Sequence, residues 1–411
     1  MRIWAFPHIY PYDYPGLNWA GTFSHRQYQG LIASGAELNV IVPVLWHPIF
    51  PFSELHKEWK QFRLYNYPKH RVYDGINVYH PRINNYKPNR FVKGTYRERY
   101  ANAIINFFKD RNIELNPHTD IFYSQWLPSA VFVQDAAHKL GIKSAILGIG
   151  DDVIVEPLKK ESNIQEFKQL LLEADARFYN ADYLGKEANK IAGLNTNYTV
   201  TYFGVDYNLF KPASEIQKKQ LRAEYHFPAD KIIILTVASP LVRKGWLDLF
   251  DALEIIKNET IDFVLVGGYA GPKDIEIVME IENRGLKPYF IDLGEVKPET
   301  LSKLYNTADI FCLPSHWEGL PTVVMESMAC GLAVLSTNVC GIPEIVTTGE
   351  TGILVPTKRV DLLTKELLLL IKDKGKRKIL GNNARKFIVD IWGNANDNAA
   401  KLYKKFEETI A

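Results

Sequence analysis

The sequence predicts an α/β protein of two domains, each built on a mostly parallel sheet. Three observations carry this. The chain has 411 residues, more than a single hydrophobic core ordinarily holds. Short apolar runs alternate with helix-like stretches through its first half. The same alternation restarts after "YFGVDYNLFKP", residues 202–212, which ends in an extended, proline-containing stretch.

In the first half, "RIWAF", "ELNVIVPV" and "SAILGIG" read as strands and "SHRQYQGLIASG" as a helix. In the second half, "KIIILTVAS", "IDFVLVGG", "YFIDLG", "ADIFCLPS" and "GLAVLST" are each followed by a helical candidate. These strands are apolar on both faces, as buried parallel strands must be when helices cover both sides of the sheet. Ligands of such sheets bind beyond the carboxyl ends of the strands. Function is therefore sought in the strand-end loops, with domain limits at 1–208 and 209–392.

Composition narrows the class. A net charge of +2 with 46% hydrophobic residues suits a packed globular protein and gives no global reason to expect nucleic-acid binding. Cys312, Cys330 and Cys340 share one apolar region without paired metal-ligand spacing, so they read as reduced core thiols and favour a cytoplasmic location. The opening "MRIWAFPHIYPYDYP" has no apolar core of signal-peptide length, and no segment reaches the roughly 18 apolar residues of a membrane helix. One local bias stands out between Glu54 and Tyr100: Lys57, Lys60, Arg63, Lys69, Arg71, Arg82, Lys87, Arg90, Lys93, Arg97 and Arg99 are interleaved with aromatics. It reads either as a patch for an anionic acceptor or membrane surface, or as a solvated face over core aromatics.

Each strand end of the second domain offers chemistry. "VASPLVRKGW", which holds Ser239, sets Arg243, Lys244 and Gly245 at the start of a helix, where fixed positive charge and free amides favour phosphate. "IDLGEVKPETL" turns through Gly294 toward a helix beginning near Pro298, leaving backbone groups around Val296 able to meet a planar base. "ADIFCLPSHWEGLPTVVMESMACG" is the strongest signal. It sets Glu318 just past a buried strand and Glu326 about five residues inside the next helix, about 7.5 Å along its axis. An ionised carboxylate can grip a sugar diol through both oxygens, and paired diols suggest a nucleotide sugar.

These residues resemble the nucleotide-binding half of family 4 retaining glycosyltransferases, which have the GT-B fold. The run from "LTVASPLVRKG" through "LVGG" to "LGEVKPETLSKLYNTADIFCLPSHWEGLPTVVMESMACGLAVLSTNVCGIPEIVTTGETGILVP" covers most of the second domain. More loosely, "AGTFSHRQYQGLIASGAELNVIVP" is similar to the glycine turn and first helix of the subgroup that makes bacterial surface polysaccharides, teichuronic acid enzymes included. The resemblance implies two Rossmann-like domains facing each other across a cleft. The closing helix, residues 393–411, would cross back to the first domain, and the halves would hinge between Gly204 and Lys211.

It also implies roles. Glu318 resembles the first Glu of the paired motif, on the donor sugar, and Glu326 the second, on the ribose. Lys244, with Arg243 beside it, resembles the lysine that neutralises the donor diphosphate. Gly21 resembles the first-domain turn near the phosphates, and Gly294 with Val296 the loop that meets the base. Gly319, Leu320, Pro321 and Thr322 form the donor-binding turn and helix start. The implied activity is retaining, metal-independent hexosyl transfer without a cofactor, from a uridine or guanosine diphosphate sugar to a glycan or lipid-linked acceptor. The implied place is the inner face of the membrane, held there peripherally.

Two departures stand out. Ser239 occupies the position where relatives carry Arg, five residues before the phosphate lysine. "LGIGDDV" has Ile149 where they carry His, while Asp152 keeps the acidic position, so Asp151 and Asp152 are assigned to the acceptor side. These departures leave a non-catalytic nucleotide-sugar or glycan binder as the alternative, with a nucleotide-sugar epimerase behind it.

Overall fold

The computed structural model describes residues 1–11, 21–46, 68–84, 94–259, 262–269, 275–296 and 298–411. The chain divides into two compact units, Met1–Phe203 with Asn396–Ala411, and Gly204–Ala395.

The first unit holds an eight-stranded sheet in the order β10-β9-β8-β7-β1-β2-β5-β4. Its strands are β1 (Arg2–Phe6), β2 (Glu37–Ile41), β4 (His70–Tyr73), β5 (Ile76–Tyr79), β7 (Asp120–Gln125), β8 (Lys143–Gly148), β9 (Ala176–Tyr179) and β10 (Thr199–Val200); β3 (Val44–Trp46) and β6 (Arg82–Asn84) form a separate parallel pair. Every pairing in the large sheet is parallel except β4 with β5. That hairpin turns on Asp74 and Gly75, both at positive φ, the conformation that matches a tight turn to the twist of its strands.

Side chains alternate along the central strands and divide the core in two. Ile3, Ala5, Ile121 and Tyr123 face the helix Thr22–Ala33 and the C-terminal helix Ala395–Ile410, whose Leu402 and Phe406 are buried among them. Trp4, Phe6 and Phe122 face the opposite way, onto Ile104 and Phe108 of the helix Tyr96–Asp110 and Val133 of the helix Leu127–Leu140.

The second unit is a six-stranded, all-parallel sheet in the order β13-β12-β11-β14-β15-β16. Its strands are β11 (Ile232–Val237), β12 (Phe263–Tyr269), β13 (Phe290–Glu295), β14 (Ile310–Leu313), β15 (Ala333–Thr337) and β16 (Ile353–Val355). The helix Trp246–Ile256 buries Trp246, Leu249, Phe250, Leu253 and Ile256 against Ile234, Leu265 and Ile310. The three- and four-residue spacing of that stripe makes one continuous apolar face, and each such side chain contributes about 1.5–3 kcal/mol on burial.

Both sheets reverse their strand order at one point. In the second unit β11 is followed by β12 on one side, while β14 lies on the other. In the first unit β1 is followed by β2 on one side, while β7 lies on the other. At such a switch point the two outgoing loops part and leave a crevice at the carboxyl edge. No helix among the described residues is long and apolar enough to cross a membrane.

The basic stretch divides. Lys57, Lys60, Arg63, Lys87, Arg90 and Lys93 lie outside the described residues. Of the rest, Arg71 donates to the carbonyl of Pro11 and Arg97 forms a two-pronged pair with Asp135, contacts internal to the first unit.

Candidate functional site

The second unit's switch point is where the predicted charges converge. After β11 the chain makes a short 3-10 turn, Val242–Lys244, and reaches the helix Trp246–Ile256 through Gly245. Arg243 and Lys244 therefore precede the α-helix rather than forming its first turn. Gly245 has φ 73°, and a Cβ there would lie 2.0 Å from the carbonyl oxygen of Pro314. Only glycine lets the two loops touch so closely.

That contact sets the geometry. Lys244 Nζ lies 2.6 Å from Glu318 Oε1, and Ser315 Oγ donates to the same oxygen at 2.8 Å. Both side chains are largely shielded, 16% and 7% exposed. Among the described residues nothing hydrogen-bonds to the second oxygen, Oε2.

The loop carrying Glu318 is fixed from three sides. The His316 amide donates to the carbonyl of Arg243 at 2.7 Å, and its ring Nε2 lies 3.1 Å from Asp248 Oδ2 in the first turn of the neighbouring helix. From β15, Ser336 Oγ donates to the carbonyl of Leu313 and Thr337 Oγ1 to that of Ser315. The Gly341 amide donates to the carbonyl of Gly319 at 3.2 Å. Arg243 lies over the ring of Trp317, 5.6 Å from its centroid.

Pro321 caps the helix Thr322–Ala329, its carbonyl accepting from the amides of Val324 and Met325. Leu320 is buried, and Thr322 opens the helix half-buried. Glu326, the fifth residue of that helix, is buried and accepts from Tyr305 Oη through Oε2 at 3.0 Å. A buried carboxylate needs such a donor. Tyr305 and Ser315 were not singled out from the sequence. Tyr305 stands 21 residues from Glu326 and only the fold joins them, whereas Ser315 could have been read from its three-residue spacing to Glu318 on one turn.

The remaining second-unit candidates line adjacent strand ends. The Ser239 carbonyl accepts from Trp246 Nε1 at 3.0 Å and from the Leu241 amide at 2.7 Å, so its backbone shapes the loop. Gly294, expected to follow a strand ending at Leu293, instead lies inside β13, which runs to Glu295 with a register shift against β12. Its φ of 58° makes the kink, and the Asp292 carboxylate accepts from its amide at 2.8 Å. Val296 folds back over the backbone of Gly268, so close that a Cβ on that glycine would lie 2.5 Å from Val296 Cγ2.

In the first unit, Gly21 opens the helix Thr22–Ala33 at φ 75°, and a Cβ there would lie 2.4 Å from the carbonyl oxygen of Ile9. Asp151 and Asp152 begin a short helix after β8. Asp152 is fully buried. Its Oδ1 accepts from the amides of Ile149 at 3.0 Å and Gly150 at 2.7 Å, and its Oδ2 from the Leu127 amide at 3.1 Å. Burial pushes its carboxyl up to about 6, the amide hydrogen bonds opposing. Asp152, expected on the acceptor side, has both oxygens engaged in tying the turn after β8 to the helix after β7. Asp151 stays half-buried beside it.

Comparison with known proteins places these features. Residues 217–387 match the family model for Glycosyl transferases group 1. Over 347 residues the chain is 25% identical to TuaC of Bacillus subtilis, a glycosyltransferase ascribed to teichuronic acid biosynthesis, covering 84% of this chain and 83% of that one. It is 28% identical over 276 residues to a Campylobacter jejuni N,N'-diacetylbacillosaminyl-diphospho-undecaprenol alpha-1,3-N-acetylgalactosaminyltransferase, covering 62% and 71%. Among solved structures it resembles the sucrose-phosphate synthase of Thermosynechococcus elongatus, with a TM-score of 0.76 at 17% identity over 99% of each chain. It also resembles Anabaena HepE, solved in complex with UDP, with a TM-score of 0.73 at 16% identity over 99% of this chain and 100% of that one. These neighbours have the GT-B fold, and this chain shares it. The family match thus covers most of the second unit, which carries a group 1 glycosyl transferase domain, and the fold of these neighbours extends along the chain.

Proposed function

We propose that this glycosyltransferase is a retaining, metal-independent hexosyltransferase. It takes its sugar from a uridine or guanosine diphosphate donor and passes it to a glycan or lipid-linked acceptor in bacterial surface polysaccharide synthesis. The work is done at the cytoplasmic face of the membrane, with the basic stretch as a peripheral contact. The observation that carries this is the shielded Lys244–Glu318 pair at the second unit's switch point, with Glu326 on the helix that follows.

The chemistry follows from charge. Breaking the bond between the anomeric carbon and the diphosphate builds negative charge on the leaving oxygen and positive charge on the carbon. Lys244 leaves Glu318 for the diphosphate, Arg243 adds a second cation, and the helix start at Thr322 supplies free amides. These fixed charges fill the role of a divalent ion. Glu318, relieved of its lysine, takes donor-sugar hydroxyls, starting from the oxygen that no described residue occupies. Glu326 holds the ribose diol. The new bond forms between the acceptor oxygen and the anomeric carbon on the face the leaving group vacates, and a phosphate oxygen takes the acceptor's proton. No carboxylate nucleophile is needed.

HepE, similar in fold, was solved with UDP, so uridine nucleotides head the panel to test. Melting temperature is measured with nucleoside diphosphates and nucleotide sugars. At a hundred times its dissociation constant, a ligand adds about 2.7 kcal/mol of stability. Stabilisation by one nucleotide, lost in Glu326→Ala, is the expected result. No stabilisation by any nucleotide would overturn the donor site.

A further inference from the structure

The first unit has a switch point of its own, between β1 and β7. Register pairs Phe6 with Ser124 across these strands, so the residues two further along face each other just past the carboxyl edge. They are His8 and Trp126. Their rings stack, with centroids 5.0 Å apart and planes 20° from parallel.

Three features separate this pair from ordinary core packing. His8 is exposed, and among the described residues neither ring nitrogen has a hydrogen-bond partner. Trp126 holds φ 80°, a conformation that a bulky side chain rarely adopts and that persists where surrounding structure enforces it. The enforcement is visible: the Trp126 amide donates to the carbonyl of Leu147, its carbonyl accepts from the amides of Ser129 and Ala130, and the next amide, of Leu127, is held by Asp152. The strained turn presents the indole to the imidazole at the place where a sheet of this kind takes its ligand.

The surroundings select the ligand's chemistry. Packing lowers the His8 pKa, with the charge of Glu156 opposing, so the ring is neutral near pH 7 and offers one donor and one acceptor. A sugar hydroxyl, which both donates and accepts, fits such a ring.

We propose that His8, oriented by Trp126, is the contact through which the first unit binds a hydroxyl of the acceptor's sugar, with Trp126 as the positioning residue. This rests on the transferase reading.

The test uses the full chain labelled with 5-fluorotryptophan. It has eight tryptophans, and the Trp126 fluorine resonance is assigned as the one missing in Trp126→Phe. The protein, saturated with UDP, is titrated with methyl glycosides of glucose, galactose, mannose and N-acetylglucosamine up to about 100 mM, which covers millimolar affinities. The expected result is a saturable shift of the Trp126 resonance with at least one glycoside. In His8→Ala the same shift requires about fivefold or more glycoside, the loss of one hydrogen bond. His8→Ala should fold, since its side chain is exposed, and its stabilisation by UDP should be unchanged. No shift with any glycoside, a shift unaltered by His8→Ala, or a response to inorganic phosphate in place of glycosides overturns the proposal. Loss of UDP stabilisation in the unmodified chain would instead sink the donor reading, and the two failures are read on separate signals.

Discussion

Lys244 Nζ and Glu318 Oε1 meet at 2.6 Å across 74 residues of sequence, from loops that leave neighbouring strands β11 and β14. Each carries the charge the other would otherwise leave unbalanced in a shielded place, where an unpaired ion is costly. The pair also sets an order of events. On the proposed function, a diphosphate has to win the lysine from the glutamate, and the freed carboxylate then has to find sugar hydroxyls.

Glu318→Gln separates these two steps. Removing the negative charge leaves Lys244 free for phosphate, and a like-charge repulsion of about 1–4 kcal/mol at contact range disappears. UDP should therefore bind about tenfold tighter to the variant. Turnover should fall about a hundredfold or more, because the side chain proposed to position the donor sugar no longer accepts through two charged oxygens. Calorimetric titration with UDP and initial-rate measurements read both. Weaker UDP binding together with unchanged turnover would show that the pair is only structural.

Glu326 presents a milder test through its partner. Tyr305→Phe deletes the hydroxyl that donates to Glu326 at 3.0 Å and leaves the ring in its buried place. A buried carboxylate losing one donor costs about 1–3 kcal/mol. Part of that should appear as a lower melting temperature, and part as a several-fold weaker nucleotide affinity as the carboxylate drifts from the position proposed to hold the ribose. Turnover at saturating donor should hold near its original value, since neither group touches the reacting atoms. A drop in turnover with unchanged affinity would place Tyr305 in the chemistry instead.

The balance between what the sequence revealed and what it hid follows from range. The second-unit strands were legible because parallel strands covered on both faces must be apolar throughout, and Ile233, Ile234 and Leu235 are buried on either side. Glu318 and Glu326 were legible because the turn and helix between them are local. The Lys244–Glu318 pair was not, since it depends on β14 lying beside β11, a neighbour relation that no local pattern encodes. Gly294 read as a turn because its residue type permits positive φ, but pairing with β12 carries the strand through it. His8 and Trp126 gave no signal at all. One follows the first strand by two residues and the other follows the seventh by one, and only the strand order puts them together.

Asp152 offers a prediction whose sign can be worked out. Its folded carboxyl, pushed up to about 6 by burial, lies above the ordinary value of 3.8. The folded chain thus holds this proton more tightly than the unfolded chain does. The stability contributed is fully present below pH 3.8 and is lost as pH rises through 6, by about 1.4 kcal/mol for each unit of displacement. Asp152→Asn removes that slope. It also sets an amide group in place of one carboxylate oxygen, so either the Leu127 amide or the pair from Ile149 and Gly150 faces a donor, costing about 1–3 kcal/mol. Measured from pH 4 to pH 7, the stability gap between the unmodified chain and Asp152→Asn should be widest at the acid end and narrow toward neutrality. A gap that widened with rising pH would mean that the Asp152 carboxyl is more acidic in the fold than its burial dictates, its three amide donors outweighing desolvation.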